Sequence, residues 1–335
     1  MFLAIEKIWY SKSKLKWLLW PLHLFFYYMV WFKRFLYQSN IISNQKFSKP
    51  VIVVGNLSVG GTGKTPFISQ LAKVCFNKGI KVGIVSRGYL AQTTQFPHQV
   101  SYDDDALSVG DEAYMQFKKL KAFDVPLVID PDRARGVNYL INNNQVDLVI
   151  SDDGLQHYNM SRDIEILLFE QQRQFGNQLV LPFGPLREPM SRLTTVDLLV
   201  QNGSSNNQFS KSLAILTPTK FVNLKSGKEY STDLFSKQQK KTNAVAAIGN
   251  PKRFLDSLRS VAEVGSTKFL IDHHQFQLDD FNEFKDQIVV MTEKDAVKCY
   301  PFAKENWYYL AVEMEFNQHL CEKLDFYITT AINRS

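Results

Sequence analysis

Only three cysteines occur in 335 residues, Cys75, Cys299 and Cys321, and no two of them form a C-x-x-C pair. That excludes a disulfide framework and a cysteine-based zinc site, and it fits a reducing compartment in which thiols serve as small buried hydrophobes. The chain has no internal repeat and no long low-complexity segment. A cleaved signal peptide is not expected, because the first apolar stretch starts late and no small-residue cleavage site follows it. A chain-wide basic excess is lacking too. The net charge is +6, but residues 1–50 hold eight Lys and Arg (Lys7, Lys12, Lys14, Lys16, Lys33, Arg34, Lys46, Lys49) against one acid, Glu6, while the remainder has 31 bases and 32 acids. A surplus confined to so short a segment argues against a nucleic-acid partner.

That same segment gathers aromatics. Four of the five tryptophans (Trp9, Trp17, Trp20, Trp31) lie in it, with Phe25, Phe26, Tyr27, Tyr28, Phe32, Phe35 and Tyr37. Between Lys16 and Lys33 runs an uncharged stretch, apart from His23, that spans about 24 Å as a helix against a hydrocarbon core of about 30 Å. Basic residues flank it on both sides, whereas a spanning helix usually has its basic flank on one side. Symmetric flanks with abundant Trp and Tyr favour a segment lying in the membrane interface. A short span and a buried aromatic helix pair are the alternatives.

Glycine is concentrated at one place. Val51-Ile-Val-Val leads through Gly55-Asn-Leu into Ser58-Val-Gly60-Gly61-Thr62-Gly63-Lys64-Thr65-Pro66, and a helical pattern follows from Phe67 to Phe76. This is the order strand, phosphate loop, helix. Backbone N–H groups of Ser58, Gly60, Gly61, Thr62 and Gly63 would cradle phosphate oxygens, and the helix N-terminus adds partial positive charge. Lys64 would reach the β- and γ-phosphates and Thr65 would hold Mg²⁺. Ser58 stands where the G-x-x-x-x-G-K-[ST] consensus has its first glycine. An ordinary strand-to-helix turn would not need Gly60, Gly61, Gly63, Lys64 and Thr65 together. The second acidic strand end that such a loop requires for Mg²⁺ is Val146-Asp-Leu-Val-Ile-Ser-Asp152-Asp153-Gly154, and one or both carboxylates suffice for a hard cation that keeps several waters. The expected ligands are ATP and Mg²⁺.

Strand and helix patterns alternate through residues 50–212, which predicts a P-loop NTPase-like α/β fold: a parallel sheet with helices on both faces. The polar run 202–211 reads as a boundary, and a second, smaller α/β unit follows, closing with an amphipathic helix over 317–332. The expected organisation is therefore an N-terminal membrane-associating helical segment over 1–45, a kinase domain over 46–212 and a C-terminal α/β domain over 213–335.

With these parts in place, further strings become legible: Ser86-Arg-Gly-Tyr89, Gly110-Asp-Glu112, Asp152-Asp-Gly-Leu-Gln-His157, Pro182-Phe-Gly-Pro-Leu-Arg-Glu-Pro189 with Ser191-Arg-Leu193, Gly249-Asn-Pro-Lys-Arg-Phe254, Asp272-His273 and Thr292-Glu-Lys-Asp-Ala-Val-Lys298. The set resembles the tetraacyldisaccharide 4'-kinase family of lipid A biosynthesis, in the same order over nearly the whole chain. Residues 202–240 and the final helix carry little of that signal. The resemblance implies transfer of the γ-phosphoryl of ATP to the 4'-hydroxyl of a membrane-bound, tetraacylated glucosamine disaccharide 1-phosphate, giving lipid IVA. It also implies work at the cytoplasmic face of the bacterial inner membrane, with that membrane surface as a partner.

Asp111 opens a helical pattern, where a carboxylate is stabilised by the helix dipole. By itself it reads as a helix cap; the resemblance makes it the base that receives the hydroxyl proton. Asp272-His273-His274 follows an apolar run, Phe269–Ile271, read as a strand. Adjacent histidines on a strand point to opposite faces and cannot share one metal, and the resemblance instead implies His273 as the partner of the aspartate base. Arg87, Arg187 and Arg192 sit in Gly/Pro-bracketed loops and suit bidentate phosphate contacts, to the substrate 1-phosphate or the transferring γ-phosphoryl, or else structural ion pairs. Gln156 and His157 would orient the nearby carboxylates or a substrate group.

A different class of function shares several of these features: the membrane-associated P-loop ATPase switches of the partition and cell-division type. Those carry a lysine immediately before the double glycine, where this chain has Val59, and they place the membrane helix at the C-terminus.

Overall fold

The computed structural model describes residue 9 and residues 20–204, 209–238 and 241–334. The basic residues Lys7, Lys12, Lys14 and Lys16 and the aromatic Trp17 lie outside the described residues, as does part of the polar run at 202–211. In chain order the main elements begin with α1 (Trp20–Gln38), β1 (Val51–Gly55), α2 (Lys64–Asn77), β2 (Val82–Ser86), β3 (His98–Gln99), α3 (Ala106–Val109), α4 (Asp111–Leu120), β4 (Leu127–Ile129), α5 (Arg133–Asn144), β5 (Leu148–Asp152), β6 (Ile164–Glu170) and β7 (Leu198–Asn202). They continue with β8 (Ser212–Asn223), β9 (Glu229–Ser231), α6 (Thr232–Gln238), β10 (Thr242–Ala246), α7 (Pro251–Arg259), β11 (Val264–Phe269), β12 (Val289–Thr292), α8 (Glu293–Cys299), β13 (Trp307–Phe316) and α9 (Gln318–Arg334).

The chain divides into two compact units, and they are interleaved. The first comprises residues 1–87, 130–215 and 316–335; the second comprises 88–129 and 216–315. This differs from a single cut after residue 212. The segment carrying Asp111 groups with the C-terminal strands, and the final helix returns to the first unit. Local patterning locates elements but is silent on which core each one joins.

In the first unit β7, β6, β1, β5 and β2 lie side by side in that order, all parallel, and the first residues of β8 extend the row. Val51 to Val54 are fully buried. Both faces of β1 are covered, which is why it reads as an unbroken β-branched run instead of an alternating one. Such sheets bind ligands beyond the C-terminal ends of their strands. The register Val54↔Asp152 brings the end of β5 beside the start of the glycine-rich loop.

In the second unit β11, β10, β12 and β13 are likewise parallel neighbours. Their residues alternate between two cores. Val245, Val289 and Met291 pack with Phe276, Phe281, Phe284 and Trp307 on one face, and Ala244, Ala246 and Val290 pack with Phe221, Phe235 and Leu258 on the other. The strand expected at 269–271 lies earlier, at Val264–Phe269. Ile271 is 83% exposed. The polar sequence of β11 is tolerated because it pairs with β10 alone among the described strands.

Candidate active site

The glycine-rich segment joins a strand to a helix, the order the spacing predicts. β1 ends at Gly55, and α2 begins at Lys64 with Gly63 as its N-cap at φ 89°. Gly60 sits at φ 114°, a region that side chains avoid. The loop is stitched to the segment at 185–187: the Val59 N–H donates to the Pro185 carbonyl at 2.8 Å, and the Arg187 N–H to the Leu57 carbonyl at 2.7 Å. From β7, the Asn202 amide donates to the Thr62 carbonyl at 2.8 Å. Ser58 is buried.

Lys64 is anchored on two sides. Its Nζ donates to Asn56 Oδ1 at 3.0 Å and lies 3.4 Å from Asp153 Oδ1. Arg187 Nη1 reaches Asp153 Oδ2 at 2.8 Å and Gln156 Oε1 at 3.5 Å. Burial alone would raise the Asp153 carboxyl, but Lys64 and Arg187 outweigh it and hold the group far below the usual carboxylate range. Asp153 adopts φ 53°, a left-handed conformation that costs a non-glycine residue energy and clusters at functional sites. Its neighbour Asp152 closes β5 and is buried.

Sequence reasoning missed two residues that support this cluster. Asn56, fully buried, also donates to the Ser58 and Gly60 carbonyls at 2.6 and 3.3 Å, so one amide shapes the loop and aims its lysine. Its only signal was its place at the strand end, just before the loop. Arg133 opens α5 and donates to the carbonyls of Asp130 and Asp152 at 2.7 and 3.0 Å. Burial pulls its guanidinium down to about 10 against the pull of Asp152 and Asp153. Burial, with the positive charges of Arg133, Lys33 and Arg87, pushes the His157 imidazole down to about 4. His157 is therefore a neutral group in a positive field. Gln156 Nε2 is buried and has no hydrogen-bond partner among the described residues.

Thr65, in the first turn of α2, and Asp152 and Asp153, at the end of β5, are the hydroxyl and carboxylates expected to serve a metal. This is an all-oxygen donor set that suits Mg²⁺ and not a soft metal. Among the described residues no group of three or more His, Cys, Asp and Glu could hold a metal ion by itself. A magnesium ion here would rest on one or two protein ligands plus water and phosphate oxygens.

The arginines separate. Arg87 is exposed just beyond β2, and Arg187 belongs to the Asp153 cluster. Arg192 does not fit the expected role in phosphate contact. Its side chain is 3% exposed and is shared between Glu165 and Glu188, the latter at 3.3 Å. It is the buried cation of an ion pair network, which Tyr158 joins through Glu188.

The second unit holds the other predicted chemistry. Gly110, at φ 90°, passes so close to Tyr89 that a Cβ there would meet the Tyr89 carbonyl oxygen at 2.5 Å. Asp111 follows as the first residue of α4, with Gly110 as N-cap, so the carboxylate is not itself the cap. His273, at φ 63°, places Nδ1 3.1 Å from Asp111 Oδ2. Burial would raise the Asp111 carboxyl, but the His273 hydrogen bond and the Lys294 charge hold it below the usual range. Asp111 also borders a cavity of about 190 Å³ with Leu107, Gln275 and Lys298. A larger hollow of about 420 Å³ beside Thr232 and Arg259 contains none of the predicted residues.

The first helix shows two faces. On one, His23 is buried with Nδ1 2.9 Å from the Val180 carbonyl, Lys33 donates to the Gln156 carbonyl at 3.1 Å, and Tyr37 stacks on Tyr158. On the other, Phe25, Tyr28, Phe32 and Phe35 are 67%, 62%, 55% and 44% exposed, at a helical spacing that forms one stripe. A buried aromatic helix pair is thereby excluded for this face. Among the described residues no helix is long and apolar enough to cross a membrane.

Comparison with known proteins follows the same line. A family model described as LpxK: Tetraacyldisaccharide-1-P 4'-kinase matches residues 15–329. The tetraacyldisaccharide 4'-kinase of Legionella pneumophila (strain Corby) is 42% identical over 323 residues, 96% of either chain. That of Pasteurella multocida (strain Pm70) is 41% identical over 312 residues, 92% of this chain and 94% of the other. Among solved structures, LpxK from Aquifex aeolicus in complex with ATP superposes with a TM-score of 0.79 at 26% identity, covering 95% of this chain and 99% of that one. The chain belongs to the tetraacyldisaccharide-1-P 4'-kinase family.

Proposed function

We propose that the protein moves the γ-phosphoryl of ATP to the 4'-hydroxyl of a tetraacylated glucosamine disaccharide 1-phosphate. The observation that carries this reading is the cluster at the ends of β1 and β5, where a glycine-rich loop, Lys64 and Asp153 meet in a chain of this family. In the transfer, the bond from the 4'-oxygen to γ-phosphorus forms, the bond from γ-phosphorus to the β-bridging oxygen breaks, and ADP leaves. Lys64 and the loop amides hold the phosphate oxygens where charge develops. Thr65 with Asp152 or Asp153 would hold Mg²⁺, which when bound neutralises phosphate charge. Asp111 accepts the hydroxyl proton, and its low basicity keeps it ionised and ready at neutral pH. His273 orients it. Arg87, Gln156, His157 and Arg187 form the positive, polar wall suited to an anionic sugar substrate. Among the described residues none favours the partition-type ATPase alternative, and Val59 stands where those ATPases carry a lysine.

The acceptor's acyl chains stay in the bilayer, since exposing each CH₂ to water costs about 0.8 kcal/mol. The enzyme therefore comes to the membrane, and the exposed stripe of α1 supplies the contact, lying in the interface on the cytoplasmic face. Incubation with ATP, Mg²⁺ and detergent-dispersed disaccharide 1-phosphate should give a product heavier by one phosphate. ATP loss that proceeds equally without the acylated sugar would overturn the kinase reading.

A further inference from the structure

Lys294 belongs to no motif role assigned above, yet it is the hub of the second unit's charged cluster. It lies in the first turn of α8, and its side chain is 15% exposed. Its Nζ donates to Glu112 Oε1 at 2.8 Å and to His273 Nε2 at 3.4 Å, and it lies 3.9 Å from Asp111 Oδ2 and 3.8 Å from Asp272 Oδ1. α8 is held rigidly to present it. Asp295, fully buried, accepts from the Ala247 N–H at 3.0 Å and from Thr292 Oγ1 at 2.7 Å, and it pairs with Lys298 at 2.9 Å.

An ammonium has donors and no lone pair. Where it faces Nε2, that nitrogen must accept, so the single ring proton sits on Nδ1. An ionised carboxylate has acceptors only, so the Nδ1 contact to Asp111 needs that same proton. The two contacts are satisfied together by one tautomer and by no other.

We propose that Lys294 is a positioning residue for the Asp111–His273 pair: its ammonium fixes the imidazole in the tautomer that donates to the carboxylate and keeps that carboxylate ionised. This rests on the reading of Asp111 as the base. The charged and titratable groups around the pair are His273, Lys294 and Lys298 at Asp111, Glu112 and Asp272 at Lys294, and Asp272 Oδ1 3.8 Å from His273 Nε2; the Tyr89 ring packs edge-on to the imidazole with centroids 5.1 Å apart. Burial works against the Lys294 charge, but Glu112 and Asp111 outweigh it and hold the ammonium above its usual range.

The test compares Lys294→Met, Lys294→Gln and Lys294→Arg with the wild type in the full-length chain. Ring ¹⁵N shifts, with the His273 signals identified from His273→Gln, report the tautomer directly. The wild type and Lys294→Arg should show the proton on Nδ1. Lys294→Met should show a mixture with the Nε2–H form, a kcat lower by roughly 10–100-fold, an ATP KM within about twofold, and an acidic limb of kcat/KM moved up by about one pH unit. Arg should restore the limb. Unchanged ring shifts with an unmoved limb in folded Lys294→Met would overturn the proposal, as would loss of the Nδ1–H form in folded Lys294→Arg. Should Lys294→Met not fold, Lys294→Gln carries the same two readouts. Full activity in Asp111→Asn would refute the base assignment and leave the tautomer measurement standing.

Discussion

Asn56 holds Lys64, the lysine at the end of the glycine-rich loop: Lys64 Nζ donates to Asn56 Oδ1 at 3.0 Å while the same amide donates to the Ser58 and Gly60 carbonyls. Asn56→Ala removes the lysine's aim and leaves loop carbonyls without their donor, at a cost of about 1–3 kcal/mol. The kcat/KM for ATP should fall roughly 10–100-fold, with a lower Tm. A steady-state ATP titration at saturating lipid checks this.

On the proposed function, Lys64→Ala removes a charge at the transferring phosphoryl. Turnover should fall by about two to three orders of magnitude while circular dichroism stays unchanged. Near-normal turnover would sink the assignment.

Asp111→Asn keeps shape but cannot take a proton. The kcat should fall far more than ATP affinity, and if the pair acts as a unit, Asp111→Ala/His273→Ala should lose little beyond Asp111→Ala alone. In the wild type the Asp111 carboxyl is held below its usual range. The kcat/KM profile should therefore hold through the ordinary carboxylate range and fall only as pH drops through that lowered value.

The Asp153 carboxyl is likewise depressed by Lys64 and Arg187. Its unfolded value is near 3.9, so its stabilisation is fully present above about pH 4 and is lost as pH falls from there toward the folded value. Thermal melts of wild type and Asp153→Asn should converge in acid and diverge toward neutrality. A constant difference across pH would contradict this.

Arg192→Met strands Glu188 without its cation and leaves Glu165 with Arg162 alone. Breaking a buried pair from one side costs about 3–5 kcal/mol, so Tm should drop well beyond that of Arg87→Met, an exposed site.

Phe25→Ser and Phe32→Ser each remove a ring from the exposed stripe of α1 without touching His23, Lys33 or Tyr37. Each should weaken binding to anionic vesicles by roughly tenfold, given about 1.5–3 kcal/mol for fully burying such a ring, and raise the KM for lipid more than that for ATP. These point variants are cleaner than deleting residues 1–40, because Lys33 and Tyr37 contact Gln156 and Tyr158 beside the carboxylates. Sedimentation with vesicles measures the binding.

The strand–turn–helix around Lys64 was legible because glycines, Lys64 and Thr65 at fixed spacing mark such a turn. The Asp152 strand end was legible because a buried parallel strand reads as an apolar run. Asp111 and His273 became readable only through resemblance: 162 residues separate them, and nothing local announces that they touch. Asn56 and Arg133 were missed, and Lys294 was quoted within 292–298 but given no role, because a single polar side chain has no periodicity. The strand expected at 269–271 was misplaced because apolar content was taken as burial, and Ile271 is exposed.

The polypeptide passes between its two compact units four times, after residues 87, 129, 215 and 315. No single scission yields both units whole. A fragment ending at residue 212 keeps Asp111 and loses His273; one beginning at 213 keeps His273 and loses Asp111. The two units can therefore not be inherited, shuffled or expressed as separate cassettes, and the Asp111–His273 pair in the second unit is assembled only once synthesis has run past residue 273.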